Sequence, residues 1–563
     1  MDPKAIINAA RDPKGLIGSA TKIAERAGDE AYFAAISVRS GLLGPEPPQR
    51  IAQLVRGFQR YGLIGGALVA SGLRYADRAA MIDERGELTY RELDDRSNAL
   101  ANAWRKEGLN AGEGVAILAR NHRGFVEAVF AAAKCGARIV LLNTSFAGPQ
   151  IREVATREGT DLLVYDEEYA QVLAGTEDPP RGRYRAWADE PGDDTLDALI
   201  DGGDKSPPPK PDVSPRITIL TSGTTGTPKG APRAEPRSLS LIGGVLSKVP
   251  FRAKEVTELC VPMFHAFGFM QSILGVGLGS TLVVRRRFDP EATLDSLERH
   301  RATAMVVVPV MLSRIVDLGE DAIRRRNTSA LRIIYVSGSA LGADLAQRAT
   351  DAFGPVIYNL YGSTEIAYAT IATPEDLRAE PSTVGKVVRG SIVKLLDEHG
   401  NEVRPGETGR IFVGNISQFE GYTGGGNKDM IQGLMSSGDV GHFDSAGRLY
   451  IDGRDDEMIV SGGENVFPAE VEELLSSHDS IQEAAAIGVD DERFGQRLKA
   501  FVVLQPDVQL SEDDIKGYVK DNLANYKVPR EVVFLDELPR NHTGKVLKRE
   551  LAERGSDTES SES

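Results

Sequence analysis

The chain predicts an α/β protein: a large domain of mostly parallel sheets packed with helices, a small β-rich subdomain, and then a smaller α+β domain. Three observations predict it. Short β-branched runs such as Gly114–Leu118 and Ala304–Val308 alternate with helical stretches, as buried parallel strands do. Past Gly385 the pattern changes to short strands and turns. Past Gly453–Asp456, about 100 residues of alternating helix and strand suffice for a compact core of their own.

Residues 1–75 read as a helical extension of several short helices, punctuated near Gly41–Pro48. In the large domain, 76–453, helix Leu93–Trp104 leads to strand Gly114–Leu118, helix Phe125–Cys135 and strand Ala137–Leu142. Glu190–Pro215, rich in Pro, Asp and Gly, reads as a long surface connection. Strands Ile217–Leu220, Thr281–Val284, Ala304–Val308, Ile333–Val336 and Val356–Asn359 follow, with helix Pro290–His300 among them. Ile392–Leu396, Gly409–Val413 and Leu449–Ile451 form the β-rich unit. The last domain, 454–551, comprises helices Pro468–Ser476 and Glu512–Leu523 with strands Ala484–Val489, Lys499–Leu504 and Glu531–Phe534. The acidic, hydroxyl-rich 552–563 reads as a disordered tail.

With 41% apolar and 26% charged residues the composition is that of a soluble globular protein, and a net charge of −16 argues against nucleic acid. Cys135 and Cys260 lack the spacing of a disulfide or zinc site, which fits a reducing cytoplasm. Leu63–Leu73 is too short to span a bilayer; peripheral membrane contact stays open.

The most informative segment is Ile217–Ala231 (ITILTSGTTGTPKGA). A strand stops at Thr221, and glycines 223, 226 and 230 then let backbone N–H groups turn toward an anion. Thr221, Ser222, Thr224, Thr225 and Thr227 add hydroxyls and Lys229 a charge, a surface suited to phosphate oxygens. It is not the GxxxxGK[ST] loop, because Gly230 stands where that loop has a hydroxyl. The alternative is a flexible surface turn.

TSGTTGTPKG resembles the motif of the adenylate-forming superfamily, which contains acyl-CoA synthetases, peptide-synthetase adenylation domains and beetle luciferases. Further matches follow in the family's order: PMFHAFGF (Pro262–Phe269), YGSTE (Tyr361–Glu365), SGD (Ser437–Asp439), GRDDEMIVSGGENV (Gly453–Val466) and PRNHTGK (Pro539–Lys545). They cover roughly Leu88 to Leu551, most like a bacterial fatty-acid–CoA ligase.

The resemblance implies ATP, Mg2+ and coenzyme A. Tyr361 would stack on adenine, with Ser337, Gly338, Ser339, Asn359, Leu360, Gly362 and Ser363 around the nucleotide. Thr364 would contact the α-phosphate, Glu365 and Thr225 the magnesium, and Asp439 and Arg454 the ribose or phosphate. Ser437 stands where the family usually has Thr. His265 would position or gate; alone it reads as a core histidine. Lys545 would bridge carboxylate and phosphate oxygens in the first step. Asp456 would be the hinge on which a mobile small domain turns, replacing Lys545 by Ser461, Gly462, Gly463 and Glu464 beside the CoA thiol. Arg493, Lys499 and Lys527 are candidates for the CoA nucleotide, but charge on a solvated face is their plainer reading; so is a solvated strand end for Arg285–Arg287.

No aspartate stands beside His265 to hold an ammonium group, which argues against an amino acid. Phe264, Phe267, Gly268, Met270, Val308, Val310, Gly338 and Ala340 form a mostly apolar candidate pocket, and a medium- to long-chain fatty acid is expected. The alternatives are a fatty acyl-AMP ligase serving a carrier protein, a CoA ligase for an aromatic or steroid acid, and a catalytically silent ATP-binding regulator. A homodimer is plausible.

Overall fold

In a computed structural model, the protein is described over residues 13–221, 229–233, 238–423, 425–455, 459–461, 464–491, 495–523, 527–541 and 544–557. A long helix, Pro13–Ser40, comes first, and Pro48–Tyr75 follows as two shorter helices joined at Gly62, so the extension is helical as expected but its first helix is longer than the short ones expected. The second is broken at Gly62, whose φ of +70° turns the chain back. Gly57 then packs against Val69, and Phe58 against Gly66. The glycine-rich half, buried from Ile64 to Leu68, approaches helix Arg123–Cys135 closely, with Gly65 against Ala133.

Helix Tyr90–Lys106 starts earlier than its apolar spacing suggests, because Thr89 and Glu92 form a capping box. Helix Arg123–Cys135 is capped by the His122 ring, which accepts from Gly124 N–H, and it ends at left-handed Gly136. The long connection before Arg216 holds a short helix, Leu196–Asp201, and Tyr61 Oη pins its proline run by donating to Pro208 O at 2.5 Å.

One sheet of six strands runs Arg183–Trp187, Thr160–Asp166, Gly114–Leu118, Arg138–Leu141, Arg216–Thr221, Lys229–Arg233, parallel except at its last pairing. A larger sheet has parallel strands Thr281–Val284, Val256–Leu259, Ala304–Val307, Ile333–Val336 and Ile357–Tyr361 at its centre. The β-rich unit expected past Gly385 has no separate sheet. Its strands continue this one as an antiparallel wing. Residues after Ile459 make a five-stranded sheet with its own apolar cluster. None of the described helices is long and apolar enough to cross a membrane.

Glu258 lies buried on strand Val256–Leu259, accepting from Ser296 Oγ at 2.5 Å. Burial pushes its carboxyl from 4.5 up to about 7, against the pull of that hydrogen bond and of Arg285. The folded value exceeds the unfolded one, so the stability gained is complete below about pH 4.5 and is lost as pH rises through about 7. Glu258→Gln keeps an acceptor without titrating. From about pH 4 to about pH 8 it should gain about 3 kcal/mol on the wild type in urea unfolding.

Candidate functional site

The carboxyl ends of the parallel strands share one edge of the sheet, where ligands of such sheets bind. Val307, Val336 and Asn359 lie abreast across three strands, so the segments that follow them converge. Ser337 Oγ donates to Leu360 O at 3.0 Å and ties two of these segments together. Gly338, Ser339 and Ala340 are exposed, whereas Asn359 is buried. A Cβ on Gly362 would stand 2.1 Å from Ala367 O, so the YGSTE turn admits no larger residue there.

Asp439 draws two elements to this edge. It lies directly across from Arg454 on antiparallel strands, and Arg454 Nη1 donates to its Oδ1 at 3.0 Å. Tyr361 Oη donates to Oδ2 at 2.6 Å. Burial and then the Asp439 charge hold the Tyr361 phenol well above its usual pKa, so it stays a donor. Ser437 retains the function of a hydroxyl here: its Oγ accepts from Asp439 N–H at 3.0 Å and donates to Ile411 O at 3.2 Å. Gly438 takes φ +83°, in the left-handed region that favours glycine.

Glu365 is buried, with Oε1 accepting from Tyr422 Oη at 2.7 Å and Oε2 from Ser363 Oγ at 2.8 Å. The Lys229 ammonium lies 5.3 Å from the Tyr422 ring centre. Gly230 N–H donates to Thr423 Oγ1 at 3.0 Å, and Thr423 donates in turn to Glu158 Oε1 at 2.5 Å. Tyr422, Thr423 and Glu158 are absent from the sequence reading; the glycine run Gly421–Gly426 is the only signal near them. Thr221 pairs with Lys229, holding the two ends of the phosphate segment side by side. Ser222, Gly223, Thr224, Thr225, Gly226 and Thr227 lie outside the described residues.

His265 is half-buried at the start of helix Ala266–Gly277, its ring 4.5 Å from that of Phe264. Phe267 and Met270 are half-buried; Phe267 meets the edge of buried Tyr335 at 5.2 Å. Phe264 and Val308 belong to the core. Gly268 is buried, and a Cβ there would stand 2.2 Å from Pro262 O.

The loop carrying Lys545 reaches this edge from the C-terminal sheet. Asn541 clasps it, accepting from Lys545 N–H through Oδ1 and donating its own N–H to Lys545 O, each at 2.9 Å. A Cβ on Gly544 would stand 2.2 Å from Val310, just beyond strand Ala304–Val307, and Lys545 is exposed beside it. Thr364 is half-buried in the YGSTE turn.

Ser461 and Glu464 pair across a short strand connection. Asp456, Gly462, Gly463 and Arg493 lie outside the described residues. Lys499 is corrected: it is 2% exposed and bonded to Glu531 Oε1 at 2.5 Å, not on a solvated face. Lys527 pairs with Glu470. Arg286 and Arg287 pair with Glu168, and Arg286 lies over Trp187, so these arginines are engaged rather than simply solvated. Among the described residues no His/Cys/Asp/Glu group of three has metal-site spacing.

The family model described as AMP-binding enzyme matches residues 69–423, and that of the AMP-binding enzyme C-terminal domain matches residues 470–545. The chain is 33% identical over 475 residues to feruloyl-CoA synthase of an Amycolatopsis species, covering 83% of this chain and 94% of that protein. It is 31% identical to indoleacetate–CoA ligase of Aromatoleum aromaticum (85% and 96% covered), and 29% identical to the fatty acid–[acyl-carrier-protein] ligase ScoC of Streptomyces coeruleorubidus (84% and 93%). ATP-bound MatB from Rhodopseudomonas palustris superposes with a TM-score of 0.78 at 25% identity, covering 88% of this chain and 99% of that one.

Asp439→Asn should weaken ATP binding about 30-fold in calorimetry, because it removes the charge shared by Tyr361 and Arg454. Unchanged affinity in a folded variant would contradict a nucleotide role for this cluster.

Proposed function

Because the chain belongs to the family of AMP-binding enzymes, we propose that it activates an apolar carboxylic acid with ATP and passes the acyl group to CoA. The observation that carries this reading is the Lys545 loop seated on Val310, beside the edge that holds Tyr361, Glu365 and Asp439. In the first step the acid's carboxylate oxygen bonds to the α-phosphorus while the bond to the β-phosphate breaks and pyrophosphate leaves. Lys545 neutralises charge between the two reacting oxygens, and Thr364 contacts the α-phosphate. Asp439 and Arg454 hold the ribose, Tyr361 the adenine, and the segment from Thr221 to Lys229 the departing phosphates. Glu365 retains lone pairs beyond its two hydroxyl partners and suits Mg2+, which would supply charge for the leaving pyrophosphate.

In the second step the small domain turns on Asp456. Ser461–Glu464 then replaces Lys545, the CoA thiolate attacks the acyl carbonyl, and the bond to AMP breaks. For the acid, we favour an aromatic body. The feruloyl and indoleacetate ligases support it, and the half-buried Phe267 against Tyr335 offers a ring edge to such a group. The fatty acid expected from sequence is the second reading, favoured by the ScoC relative, whose carrier-protein acceptor is the alternative to CoA.

Pyrophosphate release should be highest with aryl-propenoic and aryl-acetic acids, lower with medium- and long-chain fatty acids, and CoA should be consumed. Preference for fatty acids would favour the second reading, and no release with any acid would end the enzyme reading. Lys545→Ala should slow adenylation about 10³-fold yet leave thioester formation from supplied acyl-AMP within a few-fold. Equal loss of both steps would contradict the role given to Lys545.

A further inference from the structure

The matched region begins at residue 69, and most of the first two helices precede it. The segment Pro48–Tyr61 is anchored by the face that carries Gly57 and Tyr61, with the ring of Phe58 also resting in part on Gly66. Gly57 and Tyr61 are buried, Tyr61 Oη bonds Pro208 O, and Arg60 donates to Pro207 O at 3.4 Å. Ile51, Val55 and Phe58, at i, i+4 and i+7, share the adjoining face and are 49%, 47% and 40% exposed. Val38 and Leu43, also exposed, lie just before it in the chain. Large apolar side chains gathered in this way on a fixed helix mark a contact surface.

Charge indicates what is contacted. From Pro48 to Tyr75 the chain has Arg50, Arg56, Arg60 and Arg74 and no carboxylate, within a protein of net charge −16. Exposed Arg50 and Arg56 flank the apolar stripe, with Arg50 also near Glu46 at 3.4 Å. A second copy docked by two-fold symmetry would bring these arginines toward their own equivalents. An anionic, apolar-cored surface satisfies both features.

We infer that the Pro48–Tyr61 helix lies in the interface of a bilayer containing anionic phospholipid, with Ile51, Val55 and Phe58 inserted and Arg50 and Arg56 at the headgroups. The docking is peripheral and does not depend on which acid the site takes.

The test is sedimentation of the full chain with vesicles of phosphatidylcholine alone or with about 30 mol % phosphatidylglycerol. Binding should be about tenfold stronger to the anionic vesicles and fall with added salt. Ile51→Glu with Val55→Glu should lower it about tenfold or more, leaving Tm and pyrophosphate release in solution unchanged. Ile51→Trp should show blue-shifted emission on the vesicles. The inference is overturned if the wild type does not bind, if the double variant binds equally, or if the I51W emission does not move. It is also overturned if the double variant instead abolishes a lipid-free dimer, or if polyglutamate is bound and vesicles are not; these results would assign the face to a second copy or an acidic protein.

Discussion

A single carboxylate organises the edge on which the rest of this account depends. Asp439 takes the Tyr361 hydroxyl from the end of a parallel strand and the Arg454 guanidinium from the antiparallel wing. The two donors link the central strand Ile357–Tyr361 to the wing across the paired strands between them. Each donor helps to fix the position of the other, because removing either leaves this half-buried carboxylate with one partner fewer. Arg454 is also the last residue of its strand, where the chain leaves for the C-terminal sheet.

Glu365 is arranged on the same principle. Two hydroxyls, from Ser363 beside it in sequence and Tyr422 far from it, orient a carboxylate that would otherwise rotate. Tyr422 also meets the Lys229 ammonium, and its neighbour Thr423 bonds Gly230, so one loop braces both the acidic side of the site and the strand that follows the phosphate segment. This bracing holds charged groups in place before any ligand enters, which is where catalysis by oriented charge gains most.

The parts legible in the sequence were those with a local pattern. Strands Gly114–Leu118, Thr281–Val284 and Ile333–Val336 lie where their β-branched runs put them, and Tyr361, Glu365, Asp439 and Arg454 stand in short motifs. Partners distant in sequence left no such trace: Glu158 and Thr423 meet across 265 residues. Lys499 looked like a surface charge because one buried lysine in a strand is indistinguishable from an exposed one until its partner Glu531 is placed. Gly268 carries a packing constraint that no local pattern reveals, since a Cβ there would stand 2.2 Å from Pro262 O. The two N-terminal helices were blurred because Gly62 reverses a helix that Leu63–Tyr75 then resumes.

Under the proposed function, Tyr361, Arg454 and Asp439 hold the nucleotide as one coupled unit. A double-mutant cycle in ATP binding, with Tyr361→Phe, Arg454→Met and the pair, measures this directly. A coupling of about 1 kcal/mol or more between the two changes is expected, each weakening the carboxylate's hold on the other donor. Additive effects would contradict it and make Asp439 the partner of only one of them.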